Sequence, residues 1–133
     1  MNSFIEMVIE FHKKMESPIR ENPTPISIGE WELRHALLKE EYQEYKDSIN
    51  IIDIADAYAD MIYVIIGNCL VQGIDLESVF REVHISNMTK VKGNLQPNGK
   101  IKKGPEFISP NIAKAMDINE KGFGILIDEK VKK

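Results

Sequence analysis

Residues 37–67 read LLKEEYQEYKDSINIIDIADAYADMIYVIIG, and this stretch decides the fold. Two runs of helical character meet at a break near Asn50 so short that the helices must lie as antiparallel neighbours. An α-helix advances about 100° per residue. On that wheel Leu37, Leu38, Tyr42, Tyr45 and Ile49 form one broad apolar arc. Glu41 projects from the middle of the arc, Glu44 from its edge, and Glu40 at the solvent boundary. On the following run Asp53, Asp56 and Asp60 fall within about 60° of one another. Gly67 continues that line two turns later and leaves space for a ligand or a close helix contact.

Carboxylates in such numbers repel one another. A like-charged pair at roughly 4 Å costs about 4 kcal/mol at an effective dielectric near 20. A divalent cation removes that cost, and an oxygen-rich cage suits Mg²⁺ or, as a substitute, Mn²⁺. Either cluster alone reads as an ordinary solvated face with Glu–Lys pairs. The two together, each on or beside an apolar face, favour a metal site for a phosphorylated substrate. Asp53 fits equally well as a helix N-cap or as a ligand.

Outward from this pair, Phe4, Ile5, Val8, Ile9 and Phe11 recur at helical spacing and predict a first helix from about Asn2 to Glu16. Pro18, Pro23 and Pro25 force an extended connection. Ser27 followed by Glu30 is a capping-box pattern opening the second helix, which runs to about Ile49. The third begins near Ile51 or Asp53 and ends at Gly73, a residue suited to the left-handed C′ position. Its near-continuous apolar surface predicts a central buried helix. Asp75 is placed to cap a fourth, Leu76 to about Met88.

Beyond Lys90, VKGNLQPNGKIKKGPEFISP is rich in Gly, Pro, Asn and Lys and reads as an irregular arm. A short helix is expected from Pro110 to Met116, and a strand from Gly122 to Ile127. The expected fold is all-α, a compact bundle of about four main helices. Residues 1–92 form its helical core, and the basic arm 93–133 packs on that core or on a partner subunit.

Composition narrows the classes of function. The 133 residues fit one domain, and the net charge of −4 argues against binding nucleic acid. The single Cys69 lies in an apolar run and reads as a buried thiol in a reducing compartment. The first residues carry acids and do not resemble a signal peptide, and no apolar run is expected to approach the length that spans a bilayer. A cytoplasmic protein is expected. Glu32 and His35 have the ExxH spacing of di-iron bundles, but the second ExxH that such a site needs is missing, so His12, His35 and His84 read as structural or surface residues.

These elements resemble the MazG-like and phosphoribosyl-ATP pyrophosphohydrolase superfamily of all-α nucleotide pyrophosphatases. Glu41-Tyr42-Gln43-Glu44 matches its ExxE element, with Glu40 giving the EExxE form, and Ala59-Asp60-Met61-Ile62-Tyr63 matches the end of its ExxD helix. EFHKKM, LRHALLKEE, GIDLESVFREVH, SNMTK and NGKIKKGPEFISP resemble flanking pieces of one branch, so the likeness spans about Phe4 to Ile112. A strict ExxD ending at Asp60 needs Glu at position 57, where this chain has Ala57; Asp53 and Asp56 form the alternative pair.

The resemblance implies hydrolysis of a nucleoside triphosphate, ribo- or deoxy-, to the monophosphate and pyrophosphate. Metals held by Glu41, Glu44, Asp56 and Asp60 would neutralise the polyphosphate, and Glu40 is the candidate base. Lys90, Lys100, Lys102 and Lys103 are candidates to close over phosphates, and Asn87 to bond phosphate or sugar. A homodimer or homotetramer is implied. Ala57 keeps open an alternative, a non-catalytic nucleotide-sensing or dimerisation module of the same fold.

Overall fold

The computed structural model describes residues 2–118. They divide into two units, residues 2–74 and 75–118. The first unit holds α1 (Ser3–Met15), α2 (Ile28–Asp47) and α3 (Ile51–Gln72), and the second holds α4 (Leu76–Asn87) and the short α5 (Ile112–Ala115). The all-α class and four main helices with an irregular arm are as expected. The expected strand at Gly122–Ile127 lies outside the described residues.

Helix boundaries follow the local signals. Asn2 caps α1, and Glu16 closes it in the left-handed conformation. Ser27 accepts a hydrogen bond from the Glu30 amide at 3.1 Å and caps α2. The reciprocal half of the capping box is missing, because the Glu30 carboxylate pairs with Arg20 at 3.1 Å instead. Asn50, and not Asp53, is the N-cap of α3. Its Oδ1 accepts from the Asp53 amide at 2.9 Å and its Nδ2 donates to Asp53 Oδ2 at 2.8 Å. Gly73 ends α3 at φ 72°, and a Cβ there would collide with the Asn22 carbonyl.

The proline-rich connection is a strap fastened to the end of α3. Arg20 and Thr24 donate their amides to the Leu70 and Gln72 carbonyls at 2.8 and 2.9 Å, and Arg20 Nη1 donates to the Val71 carbonyl. These bonds satisfy carbonyls that a helix end leaves orphaned. Ile26, on the strap, is only 1% exposed and joins Val8, Ala57, Ile66 and Val71 in the core.

The expectation that α3 is buried all round is corrected. Its inner face is covered by α1 and α2. Ile51, Ile52, Tyr58, Ile62 and Ile65 remain 41–76% exposed, because two neighbouring helices cannot enclose a third. The reading that no run is long enough for a membrane also needs correction. By length and composition α3 qualifies, although Asp53, Asp56 and Asp60 ride along it. Cys69 is half-buried, and burial pushes its thiol up to about 11.

In the second unit Asp75 caps α4 as expected. The arm folds back on that helix: the buried Ser86 hydroxyl donates to the Ile108 carbonyl at 2.6 Å, and the Asn111 amide donates to Glu82 at 2.9 Å. Between them a tight turn through Pro97–Gly99, with Gly99 at φ 86°, brings Leu95 and Ile101 into an antiparallel bridge.

Candidate metal centre

The α2–α3 pair sets the site. Glu41 and Asp60 face each other across it, and with Glu44 they bring one carboxylate oxygen each within 4.8 Å of one another. Seven residues before Glu41 lies Arg34, and seven beyond Asp60 lies Gly67, so both helices carry a second facing pair two turns away, about 10.5 Å along the axis. There the Arg34 guanidinium rests on Gly67: a Cβ on that glycine would stand 2.6 Å from Arg34 Nη2 and 3.1 Å from His12 Nε2. The space at Gly67 is thus a close helix contact.

Glu41 is the anchor of the acidic triad. Its Oε2 is buried and has no hydrogen-bond donor. Burial, and then the carboxylates of Glu44, Asp60 and Glu40, push its carboxyl up to about 7. A buried acceptor without a donor, ringed by like charges, calls for a cation. Glu44 is exposed and Asp60 half-buried, so the triad is open to solvent on one side.

Glu44 also borders a second acidic hollow, about 330 Å³, lined with Asp47, Ser48, Asp53 and Asp56. Asp56 therefore lies outside the triad and shares Glu44 with it. Asp53 reaches this hollow while its own amide and one carboxylate oxygen are engaged by Asn50. Asp47 was not singled out in the sequence; it lies one turn beyond Gln43, whose amide nitrogen donates to both its oxygens at 3.0–3.1 Å. Ala57 is 2% exposed, so the position that a strict ExxD would give to Glu lies in the core.

Glu40 is exposed and lines a separate hollow with Ala36, Lys39, Gln43, Glu44 and Asp47; its charge still acts on Glu41. In the second unit Lys90, Lys100, Lys102 and Lys103 border one cavity of about 610 Å³ with Gln96, Pro97 and Ile101. Lys103 Nζ stands 5.0 Å from the centre of the Phe107 ring. Asn87 is the exposed last residue of α4 and does not line that cavity. His12 is buried with Nδ1 3.0 Å from the Pro18 carbonyl, while His35 and His84 are exposed, as a structural or surface reading expects.

A family model described as phosphoribosyl-ATP pyrophosphohydrolase matches residues 8–87, which is from α1 to the end of α4. The chain belongs to this family. No curated protein matches it. As a phosphoribosyl-ATP pyrophosphohydrolase family member the protein is a hydrolase of phosphoric anhydride bonds, acting on a nucleotide-like substrate. The family is metal-dependent, and the triad of Glu41, Glu44 and Asp60 is an acidic group able to hold an ion. The match includes Arg34, Asn68 and the acids from Glu40 to Asp60, whereas the lysine cavity from Lys90 onward lies outside it.

Proposed function

We propose that the protein is a Mg²⁺-dependent nucleoside triphosphate pyrophosphohydrolase that releases the monophosphate and pyrophosphate from NTP or dNTP substrates. The observation that carries this reading is the buried, donorless Glu41 Oε2 beside Glu44 and Asp60. Oxygen-only donors of this kind favour Mg²⁺ or Mn²⁺ over softer metals.

Glu41, Glu44 and Asp60 would hold one ion, and Asp56, with Asp53 and Glu44, would supply ligands in the adjoining hollow. This assigns the ExxD role to Asp53 and Asp56, since position 57 is buried. When bound, the metal supplies charge neutralisation at the polyphosphate and acidifies water. The chain's part is positional. Glu41 and Asp60 would fix the ligand oxygens from two helices, and Glu40, exposed beside Glu41, is the proposed acceptor of the attacking water's proton. Lys90, Lys100 and Lys103 are the proposed phosphate contacts in the cavity they border, and Asn87, outside it, the proposed polar contact to phosphate or sugar.

The exposed stripe Ile51, Tyr58, Ile62 and Ile65 recurs at helical spacing and fits burial against a second copy, so a homodimer or homotetramer is part of this reading. The proposed setting is the cytoplasm, without nucleic acid or membrane partners.

Each ribo- and deoxynucleoside triphosphate is incubated with the protein and Mg²⁺, and pyrophosphate is resolved from orthophosphate. Pyrophosphate release that disappears on chelation supports the reading. A folded protein that releases none with Mg²⁺ or Mn²⁺ overturns it, and nucleotide binding that persists in Glu41→Gln would favour a sensing module.

A further inference from the structure

We infer that Arg34 is a specificity-determining residue that receives the nucleobase end of the substrate; this rests on the reaction proposed above. The guanidinium is held in a fixed place. Its Nε donates to Asn68 Oδ1 at 2.7 Å, and its Nη2 lies against Gly67, the one residue on that line of α3 small enough to admit it. His12, 3% exposed, closes the third side from α1 with Nε2 turned toward Gly67 and Nδ1 3.0 Å from the Pro18 carbonyl. Three helices thus converge on one planar fork of donors.

The fork has donors to spare. Among the described residues, the hydrogen bond of its Nε to Asn68 is the one that the guanidinium makes. Arg34 is half-buried, and burial lowers its pKa against the opposing pull of the Glu30 carboxylate. A desolvated guanidinium with free Nη groups is a bidentate donor to adjacent acceptors.

Position selects the ligand. Arg34 lies on the face of α2 that carries Glu41, two turns or about 10.5 Å from it. That is the scale of a nucleotide measured from its reacting phosphates to the edge of its base. Tyr63, one turn beyond Asp60 and 40% exposed, stands between the two levels with its ring against Phe11. Arg20 and Glu30 offset each other as an ion pair, so Arg34 keeps its own positive charge, and it is the distance from the acids that points to the base end over the reacting phosphates. The matching edges are a carbonyl oxygen beside an unprotonated ring nitrogen, as guanine and cytosine present.

The test compares wild type, Arg34→Lys and Asn68→Ala for turnover of triphosphates of the common bases in ribo- and deoxy-form, and of phosphoribosyl-ATP beside ATP. Equilibrium binding of non-hydrolysable α,β-methylene analogues of the same bases, with Mn²⁺ affinity as control, is measured in parallel. Wild type is expected to favour guanine or cytosine nucleotides, and Arg34→Lys to erase that preference by about tenfold or more, with Mn²⁺ affinity unchanged. Asn68→Ala should shift it in the same direction by less. An equal loss across all bases would make Arg34 only a helix cross-link and overturn the inference, as would a wild type indifferent to the base. A loss confined to phosphoribosyl-ATP relative to ATP would assign Arg34 to a second phosphate and overturn it too. The analogue-binding arm needs no turnover, so failure of the pyrophosphohydrolase reading is seen separately.

Discussion

Arg34 donates to Asn68 across the same helix pair that sets Glu41 against Asp60, so one antiparallel register fixes both a basic and an acidic level of the α2–α3 pair. Changing one level should leave the other in place.

Glu41→Gln removes the charge that the buried Oε2 would present to a metal. Turnover should fall by at least about 100-fold, more than the 10–100-fold typical of residues that only orient ligands. Without metal the variant should melt a few degrees higher than wild type at pH 8, because an uncompensated charge has gone. Mg²⁺-dependent kinetics and calorimetry with and without chelator read the two effects.

The Glu41 carboxyl sits at about 7, above its ordinary 4.5. Between those values the folded, metal-free protein binds more protons than the unfolded chain, so its stability falls as pH rises and the loss is complete above about 7. Metal binding requires the ionised form, so Mn²⁺ affinity should rise through the same window. Denaturant melts and Mn²⁺ titrations from pH 5 to 8 check both slopes, and in Glu41→Gln both should flatten.

Asn50→Ala removes the N-cap of α3 and should cost about 1 kcal/mol, while Asp56→Asn should leave stability nearly unchanged and reduce turnover. Urea unfolding alongside steady-state kinetics separates capping from ligation.

Gly73→Ala should destabilise by roughly 2–4 kcal/mol, since the residue is left-handed and its Cβ would meet the Asn22 backbone. A thermal melt suffices. An equal loss is not expected for Gly99→Ala, where φ is 86° and nothing stands within 4 Å.

Ile62→Glu places a charge in the exposed apolar stripe of α3. Self-association should weaken by roughly 10–100-fold, as for a central interface residue. Sedimentation equilibrium of wild type and variant measures it.

Local chemistry made much of this legible. Ser27, Asp75 and Gly73 mark their helix ends by side-chain oxygens or backbone freedom, properties carried by single residues. Glu41 was readable because an acid within an apolar arc has no ordinary explanation. Three features were not readable. The Glu30 carboxylate turns from its own capping box to Arg20, a competition set by a strap ten residues upstream. The wheel marks the outer face of α3 as apolar but cannot tell which helices, of this chain or another, will cover it. Gly67 offered room, and only the register of α2 shows that Arg34 takes it.

The strap joining α1 to α2 has a consequence for biosynthesis. Its anchoring acceptors, the carbonyls of Leu70, Val71 and Gln72, are translated some fifty residues after Arg20. A nascent chain paused before residue 70 would have nowhere to fasten that segment. The N-terminal helix would wait, undocked, until α3 has left the ribosome, and premature truncation within α3 should therefore yield a chain that proteases degrade rapidly.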